Sequence, residues 1–186
     1  NFNEAIISGN IQLINKLYDP EEHTWEWAAA EGHLEVIKYF HSNRLEGCTT
    51  YAMDYAARNN HFEILKFLHF NSITYCSVWA INWAAMNGHL NVVKWLHTHR
   101  VEGCTEFAMN YAAANGHIEI VIFLHVHRKE GCTTVAMDYS IENRHLDVVT
   151  FLNVHRTEGF STRGVISAIK YDQIGVVRLL YKKNKK

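Results

Sequence analysis

Residues 103–130 read GCTEFAMNYAAANGHIEIVIFLHVHRKE, and this stretch decides the fold. Thr105 is a good N-cap, because its hydroxyl can take one of the amide donors that a first helical turn leaves without a partner. A helix over Glu106–Ala114 follows, and Asn115-Gly116 ends it, since glycine accepts the left-handed backbone that closes a helix. The spacing predicts a second helix over His117–His125, after which a short polar loop with Arg128, Glu130 and Gly131 leads onward. Two helices in 28 residues, joined by tight turns, make an antiparallel pair.

The stretch is one copy among several. Gly32-His33, Asn60-His61, Gly88-His89, Gly116-His117 and Arg144-His145 set five histidines 28 positions apart. A fixed period of this size means a stacked repeat, in which each unit buries its apolar face only against its neighbours. In the first helix, Ala56/Ala57, Ala84/Ala85 and Ala112/Ala113 are small and let neighbouring units approach closely, with Met53, Met109 and Met137 on the same apolar side. In the second helix, Leu34, Val36, Ile37 and Phe40 recur as Leu90, Val92, Val93 and Leu96, then as Ile118, Ile120, Val121 and Leu124, a wide apolar face. Glu35/Lys38 and Glu63/Lys66 stand three apart on the remaining polar face, solvent pairs worth roughly a few tenths of a kcal/mol.

Ala84-Ala85-Met-Asn-Gly88-His89-Leu-Asn-Val92-Val93-Lys-Trp-Leu96 resembles the heart of an ankyrin repeat, and it recurs in register over nearly the whole chain. A leucine-rich repeat could share the period, but its Leu-x-x-Leu-x-Leu strand signature is absent. The resemblance implies an all-α ankyrin-repeat solenoid of stacked antiparallel helix pairs in a single domain, 1–186. Full repeats are expected at about 19–46, 47–74, 75–102, 103–130 and 131–158. Partial units are expected at 1–18, with Ala5, Gly9, Asn10 and Ile11, and at 159–186, with Ala168, Ile169, Gln173, Ile174, Val176 and Val177. The chain opens at Asn1, not Met, so further repeats or a targeting segment are expected outside it.

The sequence also departs from the family. Its Thr-Pro-Leu-His becomes Tyr51-Ala52-Met53-Asp54, Trp79-Ala80-Ile81-Asn82 and Phe107-Ala108-Met109-Asn110. A unit of about 33 residues is usual, so the missing residues must come from the β-hairpin finger between repeats, which is shortened. This short variety resembles arrays common in amoebae, oomycetes and giant DNA viruses.

Composition narrows the function. The 186 residues are 48% hydrophobic and 20% charged, a globular balance, and the net charge of −1 speaks against a nucleic-acid partner. The one charge run, Lys182, Lys183, Lys185 and Lys186, reads as a solvated helix end. No apolar stretch is long enough to span a membrane. Cys48, Cys76, Cys104 and Cys132 also recur every 28 residues. Equivalent positions in stacked helical units lie roughly 8–10 Å apart, beyond the separation of about 7 Å that a disulfide bridges. They read as small buried fillers in a reducing, cytoplasmic compartment.

The same spacing keeps the columns of the 13 histidines from sharing an ion through bonds of about 2.0–2.1 Å. His41, His69, His97 and His125 fall where the family usually places a core leucine, and are expected to be buried and neutral; His99, His127 and His155 form a third column. No Gly-rich phosphate motif appears, and Ser8, Ser42 and Ser140 occupy ordinary repeat positions. The expectation is therefore no enzyme, no metal, no cofactor and no small-molecule substrate.

What remains is a surface. Tyr51, Tyr55 and Arg58 share one face of a first helix. Trp79, Trp83 and Met86 hold the same positions, as do Phe107, Tyr111 and Ala114, then Val135, Tyr139 and Glu142; His23, Trp27 and Ala30 begin the column. In ankyrin-like stacks this face lines the concave groove, and aromatics and Met are enriched where interfaces carry binding energy. A protein partner in a groove centred on Trp79, Trp83, Phe107 and Tyr111 is the expected function. The alternatives are rings that merely pack on one another, chiefly Tyr55, Trp83 and Tyr111, and a structural spacer or assembly segment of a larger protein. The inter-repeat loops form a charge ladder, Arg44/Glu46, Arg100/Glu102, Arg128/Glu130 and Arg156/Glu158. Ser72-Ile73-Thr74-Tyr75 breaks it, marking a local contact site or a change of twist.

Overall fold

A computed structural model describes residues 4–5, 8, 10–13, 24–43 and 47–183, and among these it contains helices and no strand. The fold is all-α, as the repeat predicts, and the shortened fingers are simple connections. The described chain groups into two compact units, residues 1–84 with 91–103, and residues 85–90 with 104–186.

The first unit holds α1 (Thr24–Glu31), α2 (Leu34–Asn43), α3 (Thr50–Arg58), α4 (Phe62–Phe70) and most of α5 (Val78–Met86) and α6 (Leu90–His99). Helix α1 packs on α2 and α3, and α4 on α2 and α3. Trp25 meets Phe40 with ring centroids 5.5 Å apart, and Phe40, Leu65, Leu68, Ala56 and Ala57 are fully buried. The second unit holds α7 (Glu106–Ala114), α8 (Ile118–His127), α9 (Thr134–Glu142), α10 (Leu146–His155), α11 (Thr162–Lys170) and α12 (Ile174–Lys183). Here α9 packs on α7, α10 and α11, and α10 on α8 and α12.

Local chemistry explains the boundaries. Thr105 caps α7 by accepting from the Phe107 amide, and Thr49, Thr133 and Ser161 cap α3, α9 and α11 in the same way. Between the helices of a pair the chain turns through a left-handed residue, Gly116 at φ 76° and Gly88 at φ 81°. The fit is also close there: a Cβ on Gly88 would lie 2.7 Å from Cε1 of His117, while Asn60 and Arg144 take the same left-handed turn in other repeats.

Four expectations need correction. Helix α8 begins at Ile118 and ends at His127; His117 is its N-cap residue, with a ring that makes no cap hydrogen bond and lies instead with Nε2 3.1 Å from the Met86 carbonyl. The segment 159–186, expected as a partial unit, carries both helices of a pair, α11 and α12. The first residue of the apolar second-helix set is not core: Leu34, Leu90 and Ile118 are half-buried and Leu146 is exposed. Nor are the four histidines at leucine positions in the core. His41 is exposed and His69, His97 and His125 are half-buried, because the preceding Phe40, Leu68, Leu96 and Leu124 take the core site and the next residue is turned roughly 100° away.

The 1–18 unit lies mostly outside the described residues; Ser8 Oγ donates to the Ala5 carbonyl at 3.1 Å and the Leu13 amide to Asn10 Oδ1 at 3.0 Å. His23, the rung Arg44/Glu46, Lys185 and Lys186 also lie outside, as do the side chains of Lys182 and Lys183.

Candidate functional site

The first-helix face is built by a device that links each repeat to the next. Asp54 is fully buried, and its carboxylate accepts from the Ser77 amide at 2.8 Å and from the Ser77 hydroxyl at 2.6 Å. Ser77 in turn accepts from the Trp79 amide at 3.1 Å. Glu26 holds Thr49 in the same way, Asn110 holds Thr133, and Asp138 holds Ser161. An acid or amide in one first helix thus clamps the cap of the next, and the residue two positions after the cap is the outermost of the ring column. Burial pushes the Asp54 carboxyl above its ordinary range, and the Ser77 hydrogen bonds oppose this. In the sequence the Asp/Asn column stands out only as a departure from the family pattern. Its signal was a constant separation of 23 residues between the acid or amide and the hydroxyl it clamps.

In the first unit this aims a continuous set of rings. Tyr51 stacks on Tyr55 at 6.0 Å, Tyr55 on Trp83 at 5.6 Å and 9°, and Trp83 lies 5.5 Å from Trp79. The Arg58 guanidinium lies 5.5 Å from the centre of the Trp83 ring. Tyr51 and Trp27 are 50% and 43% exposed, while Tyr55, Trp79 and Trp83 are half-buried. The rings therefore pack on one another and still present area to water. In the second unit Phe107 stacks on Tyr111 at 5.6 Å, and Phe107 is 39% exposed. Tyr139 and Glu142 meet a residue the sequence reading did not single out: Arg163 sits 4.4 Å over the Tyr139 ring and 2.9 Å from the Glu142 carboxylate. Met86 is half-buried at the end of α5, and its carbonyl accepts from Asn115 Nδ2 at 2.8 Å.

Two of the motif histidines bridge repeats. His61 Nε2 lies 2.9 Å from the Ala30 carbonyl, bridging consecutive repeats as His117 does. On the second helices, Nδ1 of His69 accepts from Arg100 at 3.2 Å, and that of His125 from Arg156 at 3.5 Å. Burial, then the neighbouring arginine, holds both imidazoles below the usual histidine range.

In the three rungs that are described the charge ladder closes within the loop, as Arg100–Glu102, Arg128–Glu130 and Arg156–Glu158 pairs. These pairs flank the cysteines. Burial pushes the Cys76 thiol up to about 12 and those of Cys104 and Cys132 to about 11. All four thiols are free. At the aberrant junction Ser72 turns through φ 51°, and Tyr75 receives the Arg100 guanidinium at 5.2 Å. Among the described residues, no cluster of three or more His, Cys, Asp or Glu is placed to hold a metal ion.

A family model described as ankyrin repeats (many copies) matches residues 26–69, and one described as ankyrin repeats (3 copies) matches residues 81–163. The matches together take in well over half of the chain, which belongs to the ankyrin-repeat family. Its structure is similar to that of the human ASB11 ankyrin repeat domain, with a TM-score of 0.65, 14% identity, and coverage of 84% of this chain and 83% of that one. That likeness shows the fold. A search of curated protein sequences finds no match. Ankyrin repeats generally serve as protein-interaction modules, and the fold is typically non-catalytic. No helix among the described residues is long and apolar enough to cross a membrane.

Proposed function

We propose that the chain is a non-catalytic module that binds a protein partner through the ring-bearing faces of its first helices. The contact residues are Tyr51, Tyr55, Arg58, Trp79 and Trp83 in the first unit, and Met86, Phe107, Tyr111, Tyr139 and Glu142 in the second. One observation carries this reading: large rings stand partly exposed at positions that the acid–hydroxyl clamp fixes in place, at little entropic cost to a binding event. Four free thiols support a reducing, cytoplasmic setting. The test compares capture from native lysate by the wild-type chain and by a Trp79→Ala/Phe107→Ala variant. Binding should weaken by about 2 kcal/mol or more, with circular dichroism unchanged. Equal affinity would move the interface to the second helices or the loops.

A structural or assembly segment is the second reading, and α11 favours it. Ile166 and Ile169 are 63% and 65% exposed, whereas Asp138 and Ile141, at the corresponding positions of α9, are buried. Sedimentation that shows concentration-dependent self-association, abolished by Ile166→Lys/Ile169→Lys, would support it.

A further inference from the structure

In the first unit a cavity of about 460 Å³ opens between α1 and α3, lined by Trp27, Tyr51 and Tyr55 together with Glu26 and Glu31. We propose that it seats the cationic side chain of a lysine or arginine displayed by a protein partner. This rests on the interaction-module reading and specifies its ligand.

Three observations converge on a cation. The first is the rings. An aromatic face attracts a positive charge within about 6 Å of its centre, and Trp27 and Tyr51 offer roughly half of their surface to solvent. The second is the field. Glu26 is 5% exposed, and the Thr49 amide and hydroxyl hold its carboxylate at 3.0 and 2.6 Å. Glu31 is exposed in the last turn of α1, which carries no basic residue. A carboxylate there adds to the negative end of the helix dipole, and an incoming cation relieves both. Among the described residues that line the cavity, none is basic.

The third observation comes from the repeat register. Trp27, Ala30 and Tyr51 correspond to Tyr139, Glu142 and Arg163, 112 positions further on. In the second unit the chain itself places an arginine on this arrangement, 4.4 Å over the ring and 2.9 Å from the carboxylate. In the first unit Tyr51 stands where that arginine would be, so the seat is open, and Glu31 supplies an acid one residue after the Glu142 equivalent. Arg58 over Trp83 is a second internal example of a guanidinium on a ring of this column. An anion would be repelled from the cavity, and a purely apolar group would draw water from the carboxylates without replacing it.

NMR titration of the full chain, read both by saturation transfer to the probe and by the protein's own N–H shifts, provides the test, with N-acetyl-lysine methylamide, N-acetyl-arginine methylamide and the uncharged N-acetyl-norleucine methylamide as probes. The lysine and arginine probes should bind saturably and shift the Trp27 indole N–H resonance, and norleucine should not. Affinity should fall about fivefold or more in Trp27→Ala and about threefold in Glu31→Gln. Glu31→Gln changes no volume and guards against a folding artefact. The proposal is overturned by norleucine binding as tightly as lysine, by no saturable binding of either cation at tens of millimolar, or by equal affinity in both variants. The broader reading stands or falls separately, on the Trp79→Ala/Phe107→Ala capture. If Trp79→Ala/Phe107→Ala abolishes partner capture while Trp27→Ala and Glu31→Gln retain it, the module stands and the cation seat does not.

Discussion

The α1–α3 face of the first unit and the α9–α11 face of the second are built from the same repeat positions, yet one is open and the other is filled from within. At the outermost ring position, two residues after the helix cap, the first unit has Tyr51 and the second has Arg163. Tyr51 leaves the cavity beside Trp27 accessible. Arg163 lies over Tyr139 and ties itself to Glu142. The core beneath hardly differs: Ala28 and Ala56 in the first unit and, at the corresponding positions of the second, Ser140 and Ala168 are all fully buried. In a repeat array the scaffold and the surface are thus nearly independent, and a few differences outside the core, Trp27 against Tyr139, Ala30 against Glu142 and Tyr51 against Arg163, leave one face open and the other filled.

The largest expected effect lies at the clamps that recur through both units. Asp54→Ala strands the Ser77 amide and hydroxyl at the start of α5, and should destabilise the chain by about 2 kcal/mol. Asp138→Ala should cost a similar amount through Ser161. Asp54→Asn should cost less, because Asn110 already performs this role with Thr133. Urea unfolding midpoints measure all three. An alanine variant that melts like the wild type would mean that packing, not the clamp, aims the rings.

Much of this was legible in the sequence because a 28-residue period repeats every local signal. Thr105, Gly116 and the buried alanines could each be checked against their counterparts. The clamp escaped because Asp54 and Ser77 belong to different columns of different units, and reading by column never sets them side by side. Arg163 is less legible because the other repeats carry His23, Tyr51, Trp79, Phe107 and Val135 at its position, so nothing in the column announces an arginine. The histidines were placed in the core because His69 follows Leu68 directly; one residue of helical rotation moves it from the core to its edge.

A pH experiment sharpens the picture of that edge. His69 and His125 each accept a hydrogen bond from an arginine, which only the neutral ring can do. Their folded pKa values are lowered, by burial first and by the arginine second. The unfolded chain therefore binds more protons than the folded one once pH falls below about 6.5, and stability declines as pH drops through that value. The melting midpoint should be lower at pH 5.5 than at pH 7.5, and His69→Gln/His125→Gln should narrow the gap. A gap of unchanged size would assign it to other groups. EDTA at pH 7.5 should leave the midpoint where it is, and a large drop would instead mean that histidines hold a metal.

The smallest change in stability belongs to Arg163→Ala, and it bears most directly on the contrast between the faces. Arg163 has a half-exposed side chain, and an ion pair in that position contributes little to folding because water screens it. The melting midpoint should hardly move. The surface should change nonetheless: Tyr139 loses its covering guanidinium and Glu142 its counter-charge, so the second unit acquires a ring and a free carboxylate in the register of Trp27 and Tyr51. The lysine probe should then bind at a second place, seen as a new saturable shift near Tyr139, while binding at Trp27 stays as it was. If no second site appears, a ring and one carboxylate are not enough, and the open face owes its selectivity to the pair Glu26 and Glu31.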